Sequence, residues 1–244
     1  MEATFDLLER PTYAMLDVDR LLRLSRGTAQ RWIDGYTRGR RAYEPVVRLE
    51  ATGSDVVTWG DFVETRLLAE YRLSGAAMAN MRRSVVRLRE ELQTKYPLAL
   101  ARTWVRQEGR ELVRAAQSDA DVDATYQLVV VRNDQLVLAH QVSRFVESVD
   151  FSPTTRGDAV VERIFPEPDL RGVTFDPTRK SGFPVITGRG IPTEVIAEQV
   201  RAGDSLASIA GSYDLSPGEV ESAVRYELIA AAHPRLRNER APAA

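Results

Sequence analysis

The chain has 244 residues, 43% of them apolar, a length and composition that support one or two compact domains with real cores. Cysteine is absent, which excludes disulfides, thiolate catalysis and sulfur-ligated zinc, and the two histidines, His140 and His233, leave little for histidine-based metal binding or catalysis. The formal charge is −2, no apolar run approaches the roughly 20 residues of a membrane span, and the first residues lack a signal-peptide pattern, so a cytoplasmic protein with no membrane contact is expected.

The charge is unevenly distributed. Leu16 to Arg48 carries eight arginines against Asp17, Asp19, Asp34 and Glu44, a net of +4. Thr193 to Glu227 carries a net of −5, and the end turns basic again with Arg235, Arg237 and Arg240. A polyanion would be attracted to the front of the chain and repelled by the rear.

From Leu16 to Tyr36 two short helical patterns follow each other. Val18, Leu21 and Leu22 share a face of the first, and Ala29, Trp32 and Ile33 share a face of the second. Ser25 is the expected N-cap of the second helix and Gly35 its left-handed end, with a turn of about three residues around Leu24. Burying Ala29, Trp32 and Ile33 would turn Arg26, Gly27, Thr28, Gln30 and Arg31 outward, a donor-rich set suited to a major groove and its phosphates. Arg38, Arg40 and Arg41 around Gly39 then read as the tip of a β-wing, with Val46 to Leu49 as the returning strand. DNA-binding candidates are therefore Arg26, Thr28, Gln30, Arg31, Arg38, Arg40 and Arg41. The stretch Tyr13 to Tyr71 resembles the DNA-binding head of MerR-like winged-helix proteins, and the resemblance implies a winged helix-turn-helix over residues 1–73.

A helix is expected after Thr58 with Phe62, Val63, Leu67 and Tyr71 inward. A longer helix capped by Ser74 and stopped by Pro97 fills residues 74–97. Met78, Met81, Val85, Leu88 and Leu92 recur at alternating steps of three and four, about two heptads. Such a stripe serves a helix packed on its own domain or a dimer helix, and a homodimer would suit a two-fold operator. Residues 98–170 read as a mixed α/β region. It contains a β-hairpin turning at Glu108–Gly109, a strand from Tyr126 to Arg132 and a turn at Asn133–Asp134. Leu138, Val142, Phe145, Val146 and Val149 follow helical spacing, Ala159 to Phe165 forms a strand, and Pro166 and Pro168 mark a linker.

Residues 171–232 carry the densest punctuation. Phe183 to Ile186 reads as a short strand and Gly188 and Gly190 bracket a turn. Thr193 caps a helix ended by Gly203, and Asp204 caps a second. Ser216, Pro217 and Glu219 form the N-cap, first-turn proline and capping-box partner of a third, with Val220, Ala223, Val224 and Leu228 inward. The pattern Asp176–Pro177, Gly182, Pro184–Val185–Ile186, Gly188, Ile191–Pro192, Gly203, Ser205, Ile209–Ala210, Tyr213, Leu215–Ser216, Ala223 and Tyr226 resembles a small bacterial domain family associated with antitoxins. Arg189–Gly190 replaces the usual Thr–Arg of that pattern. With the basic head, the whole chain is similar to the larger VapB-type antitoxins of type II toxin–antitoxin operons. That resemblance implies a PIN-domain (VapC-type) ribonuclease toxin as partner and operator double-stranded DNA as the target of an autoregulating repressor.

The acidic rear unit is expected to meet polypeptide rather than DNA. Arg235, Arg237 and Arg240, in the basic tail 233–244, are candidate toxin contacts, because arginine forks pair with the metal-holding carboxylates that the resemblance implies in such a ribonuclease. No Walker A, HExxH, GxSxG or Cys–His set occurs, so no enzyme activity, metal or cofactor is expected. A stand-alone MerR-like regulator without a toxin is the alternative. In fold class the chain reads as mainly α with small β elements, an α+β protein.

Overall fold

The computed structural model describes residues 5–73, 78–119, 127–132, 135–154 and 157–231, and its class is α+β. After α1 (Phe5–Glu9), strand β1 (Pro11–Ala14) pairs antiparallel with β4 (Val56–Thr58), so the start and end of the head lie side by side. Between them run α2 (Met15–Leu21), α3 (Thr28–Ile33) and the antiparallel hairpin β2 (Tyr36–Arg38) and β3 (Arg41–Tyr43). The returning strand is thus Arg41–Tyr43. Val46 to Leu49 is irregular instead, because the Val46 and Val47 N–H groups both donate to the Trp32 carbonyl and leave no ladder to join.

Helix α4 (Trp59–Leu73) is the axis of the fold. Phe62, Val63, Leu67 and Tyr71 are buried as expected, but so are Asp61, Glu64, Thr65, Arg66 and Glu70. Each buried polar side chain has a partner: Asp61 with Arg48, Glu64 with Arg89, Arg66 with Glu70, and the Thr65 hydroxyl donating to the Asp61 carbonyl at 2.6 Å. Burying charges is tolerable only under such pairing.

Helix α5 (Met78–Leu92) packs on α4, on the Pro97–Ala99 turn and on α7 (Gln107–Asp119). Met81, Val85, Leu88 and Leu92 are buried inside the chain and Met78 is half-buried against the same core, so this stripe packs within its own chain. Ser74, its expected cap, lies outside the described residues.

The expected hairpin at Glu108–Gly109 is a helix pair, α6 (Ala101–Val105) and α7. Gly109 is there for close approach: a Cβ would sit 1.9 Å from the Arg102 carbonyl oxygen. Strands β5 (Val129–Arg132) and β6 (Gln135–Leu138) form a hairpin tied to α7 by Gln117, whose amide accepts from Leu128 and Val129 and donates to the Val129 carbonyl. The expected turn at Asn133–Asp134 lies outside the described residues. Helix α8 (His140–Glu147) keeps Val142 and Phe145 inward, but Leu138 belongs to β6 and Val149 to β7 (Val149–Pro153), which pairs with β8 (Ala159–Ile164). Pro166 and Pro168 flank no free linker, since Glu167 binds Arg23 at 3.2 Å and Arg144 at 2.8 Å.

The rear unit pairs β9 (Val173–Thr174) with β10 (Val185–Ile186) and packs α9 (Thr193–Ala202), α10 (Leu206–Tyr213) and α11 (Pro217–Ala231) around Ile186, Ile196, Ile209, Leu215 and Val220. The second helix is capped by Ser205, whose hydroxyl accepts from Ser208 N–H, rather than by Asp204. The Ser216–Glu219 capping box forms as expected. Leu228 is 69% exposed, and Tyr226 takes the inward position of that turn. Phe175 and Tyr226 join the main core, in a ring series from Trp59 through Phe62 to Phe175 and Tyr226 with centroids 5.5–5.9 Å apart. The Tyr13 hydroxyl also donates to the Gly182 carbonyl at 2.5 Å, fastening the head to the rear unit.

Glu64 is fully buried. Burial pushes its carboxyl up to about 7, against the pull of Arg89 and the Leu98 N–H. A carboxyl whose folded pKa lies above its unfolded value holds a proton that the unfolded chain has already lost, so stability falls as pH rises through that window. Urea unfolding is expected to lose up to about 3 kcal/mol between pH 4.5 and 7. Glu64→Gln should flatten most of that slope; an unchanged slope in the variant would refute the assignment.

Candidate nucleic-acid interface

The helix pair of the head is held from inside by Asp19. Its carboxylate accepts from Gly27 N–H at 2.6 Å and from Ala29 N–H at 2.8 Å, so it satisfies the start of α3 from the preceding helix. Burial pushes its carboxyl above the usual range in spite of these bonds. The residue at the N-cap position is Gly27 in the left-handed conformation, not Ser25, and the connection from Leu22 to Gly27 is longer than the turn expected around Leu24. Arg23 within it is also left-handed, at φ 54°.

At the other end of α3 the chain enters the hairpin through Gly35. Its φ is 76°, and a Cβ there would sit 2.6 Å from the Tyr43 carbonyl oxygen, so both conformation and space require glycine. The hairpin is stiffened by stacking of Tyr36 on Tyr43, with centroids 4.6 Å apart and planes 3° from parallel, and Arg41 lies 5.0 Å over the Tyr43 ring. Gly39, at φ 62°, makes the turn.

Of the predicted contact residues, Arg26, Arg38, Arg40 and Arg41 are exposed, and among the described residues none has a carboxylate within ion-pair distance. Gln30 and Arg31 are half-buried. Thr28 is 5% exposed and faces inward, contrary to its expected outward position; its hydroxyl accepts from the Arg31 guanidinium at 2.8 Å. The paired rings Tyr36 and Tyr43 were not singled out by composition or helical periodicity; their signal is symmetry, since they stand at opposite positions across the Gly39–Arg40 tip.

The same hairpin region is bolted to α4 by Arg48. Its guanidinium reaches Asp34 at 3.0 Å and Asp61 at 2.8 Å, with side-chain exposures of 9%, 4% and 2%. Asp34 also accepts from the N–H groups of Thr52 and Gly53 and from the Thr52 hydroxyl. Burial alone would raise its pKa, but these hydrogen bonds and Arg48 hold it below the usual carboxylate range. Arg48, counted above with the basic front, is therefore a structural cation.

The rear unit has a different electrostatic character. Glu219, at the start of α11, is held by Ser216 and paired with Arg189 at 3.3 Å. The hydrogen bonds from Ser216 keep its carboxyl below the usual range. Arg189 is the first of the two residues that depart from the pattern quoted above. Glu227 accepts from the Thr193 hydroxyl at 2.5 Å. Arg235, Arg237 and Arg240 lie outside the described residues. Among the described residues no group of three His, Cys, Asp or Glu could hold a metal, and no helix is long and apolar enough to cross a membrane.

Residues 173–226 match a family model described as "Protein of unknown function (DUF433)". Over nearly its whole length the chain is 33% identical to the Mycobacterium tuberculosis protein named "Uncharacterized protein Rv2308", across 227 residues that make up 90% of this chain and 91% of that one. It is 26% identical to the protein named "Putative antitoxin VapB45" of the same organism, covering 92% of this chain and 95% of that one. The crystal structure of Rv2018 from M. tuberculosis shares the fold, with a TM-score of 0.66, 21% identity, and coverage of 88% of this chain and 97% of that chain.

Replacing Arg48 with Met would leave two buried carboxylates facing each other without a cation. Arg48→Met is expected to lower the unfolding free energy by about 3–5 kcal/mol in urea titrations at neutral pH. A loss below about 1 kcal/mol, the range of an exposed pair, would contradict the role given to this cation.

Proposed function

This chain belongs to the family of the mycobacterial protein Rv2308, and we propose that it is an antitoxin that binds a PIN-domain ribonuclease toxin and represses its own operon through its head. The antitoxin name of a relative aligned over nine-tenths of the chain supports the first half of this reading. The second half is carried by one observation: Arg38, Arg40 and Arg41 stand exposed, and among the described residues without carboxylate partners, on a ring-stacked hairpin that follows α3. A winged helix-turn-helix reads a groove with its second helix and rests its wing on the phosphate backbone. Here Arg26, Gln30 and Arg31 lie on α3 or at its start, and the hairpin supplies the backbone contacts. The rear unit, acidic and with Glu219 already committed to Arg189, takes the protein partner. In the tail, three arginines within six residues match a carboxylate-lined nuclease centre in charge.

Reversing Arg38, Arg40 and Arg41 to Glu in the full chain should abolish binding to its own promoter fragment in gel-shift titrations. A single-site Arg40→Ala variant should weaken it and reduce the slope of log affinity against log salt by about 1. Undiminished promoter binding in the triple variant would refute the head as the DNA contact. The toxin half is tested by co-expression with the product of the adjacent gene: the full chain should co-purify with it and silence its ribonuclease activity, and a chain ending at residue 232 should release that activity. Full silencing by the shortened chain would remove the tail from the mechanism.

A further inference from the structure

The turn between α2 and α3, the middle of α4, the Pro166–Glu167 turn and the last turns of α11 meet around a cavity of ≈ 30 Å³. Its wall is largely apolar, with Leu22, Ala69, Phe175 and Ile229 among the lining residues, yet two guanidinium groups, Arg23 and Arg66, line it as well. Their side chains are 16% and 6% exposed. The local ions are Arg23, Arg66 and Arg144 against Glu70 and Glu167, so one positive charge exceeds the carboxylates that pair with them.

The existing bonds leave donor capacity unused. Arg23 donates to Glu167 at 3.2 Å and to the Ile229 carbonyl at 3.4 Å, and Arg66 donates to Glu70 and, at 3.4 Å, to the Pro166 carbonyl. Each guanidinium carries five N–H donors. Burial, and then the charge of Arg66, pull the Arg23 pKa downward, as expected where negative charge is in short supply. Tyr226 lines the same cavity, and its hydroxyl makes no hydrogen bond among the described residues.

We propose that this cavity binds a small monocarboxylate, with the carboxylate on Arg23 and Arg66 and the short alkyl end against the apolar wall. A planar carboxylate matches the guanidinium fork. One negative charge balances the excess of one; a phosphate dianion would reverse it. The space equals two or three water sites at about 10–15 Å³ each, so it takes only a carboxylate with the shortest alkyl end. Because the lining joins the head's turn to the end of α11, occupancy ties the head to the rear unit. The inference stands apart from the antitoxin reading and does not depend on it.

The test is calorimetric titration of the full chain at constant ionic strength with propionate, with propionamide as the uncharged isostere and inorganic phosphate as the dianion. Propionate should saturate at one site per chain with a dissociation constant of about 1–10 mM, a reasonable range for five non-hydrogen atoms. It should also raise the thermal midpoint along the same isotherm. Propionamide and the Arg23→Gln variant should each bind at least tenfold more weakly. Equal binding of propionamide, no saturation by propionate, or tighter binding of phosphate than of propionate would each overturn the proposal. Should Arg23→Gln fail to fold, the comparison of propionate with propionamide on the native chain decides alone.

Discussion

Arg48 sits between Asp34 and Asp61 with almost no water at any of the three side chains, and the geometry of the head depends on that contact. Asp34 closes α3 and gathers the Thr52–Gly53 loop; Asp61 opens the central helix. The cation between them fixes the hairpin region relative to the axis of the molecule. Three charges in a low-dielectric setting are costly to bury, and the cost is met only because every arm of the guanidinium has a carboxylate, a hydroxyl or a carbonyl to donate to. Such an arrangement favours one position of the hairpin region over its neighbours.

Internal pairing also sets the polarity of the chain. The front segment is formally +4. Asp19 and Asp34 are consumed as internal acceptors, Asp17 lies 3.7 Å from Arg20, and Glu44 pairs with Arg82. Arg23 and Arg48 pair with internal carboxylates. Among the described residues, the exposed cations of this segment without an acidic partner are Arg26 and the three of the hairpin. Formal charge and free charge therefore agree there, for reasons that counting residues does not reveal. In the rear unit they diverge in detail: Glu219 and Glu227 are committed to local bonds, so the acidic face is made by the other carboxylates, Glu194, Glu198, Asp204 and Glu221 among them.

Elements whose apolar spacing meets one buried face were legible from sequence. The head's helix pair, the arginine hairpin around Gly39, the inward face of α4 and the capping box of α11 all had a local cause that needs no partner elsewhere in the chain. Misreadings arose where a distant contact decided. Gly109 has the chemistry of a turn residue, yet it is a glycine because α6 passes over it. The stripe from Met81 to Leu92 has coiled-coil spacing, but α4 and α7 fill the place of a partner helix. Thr28 stands in an outward position by helical spacing, yet it is buried, with its hydroxyl bonded to Arg31 one turn on. At the candidate site, the arginines could be named from sequence, but Tyr36 on Tyr43 and Asp34 to Arg48 to Asp61 are pairings across the chain and carried no single-residue signal.

The two ends of the molecule are mechanically continuous. Phe62 on the central helix touches both Tyr13 of the head and Phe175 of the rear unit, and Phe175 meets Tyr226 on the last helix. Edge-to-face ring packing of this kind resists sliding more than aliphatic contact does, because displacement costs both area and orientation. Tyr13 adds a directional bond to Gly182, where Lys180, Ser181 and Gly182 all take positive φ, a backbone that persists only when its surroundings impose it. Arg23, left-handed in the turn before α3, extends the same connection to Ile229 near the end of α11. A force applied to the end of the last helix therefore has a short covalent and hydrogen-bonded route to the start of α3, with no flexible linker among the described residues to absorb it.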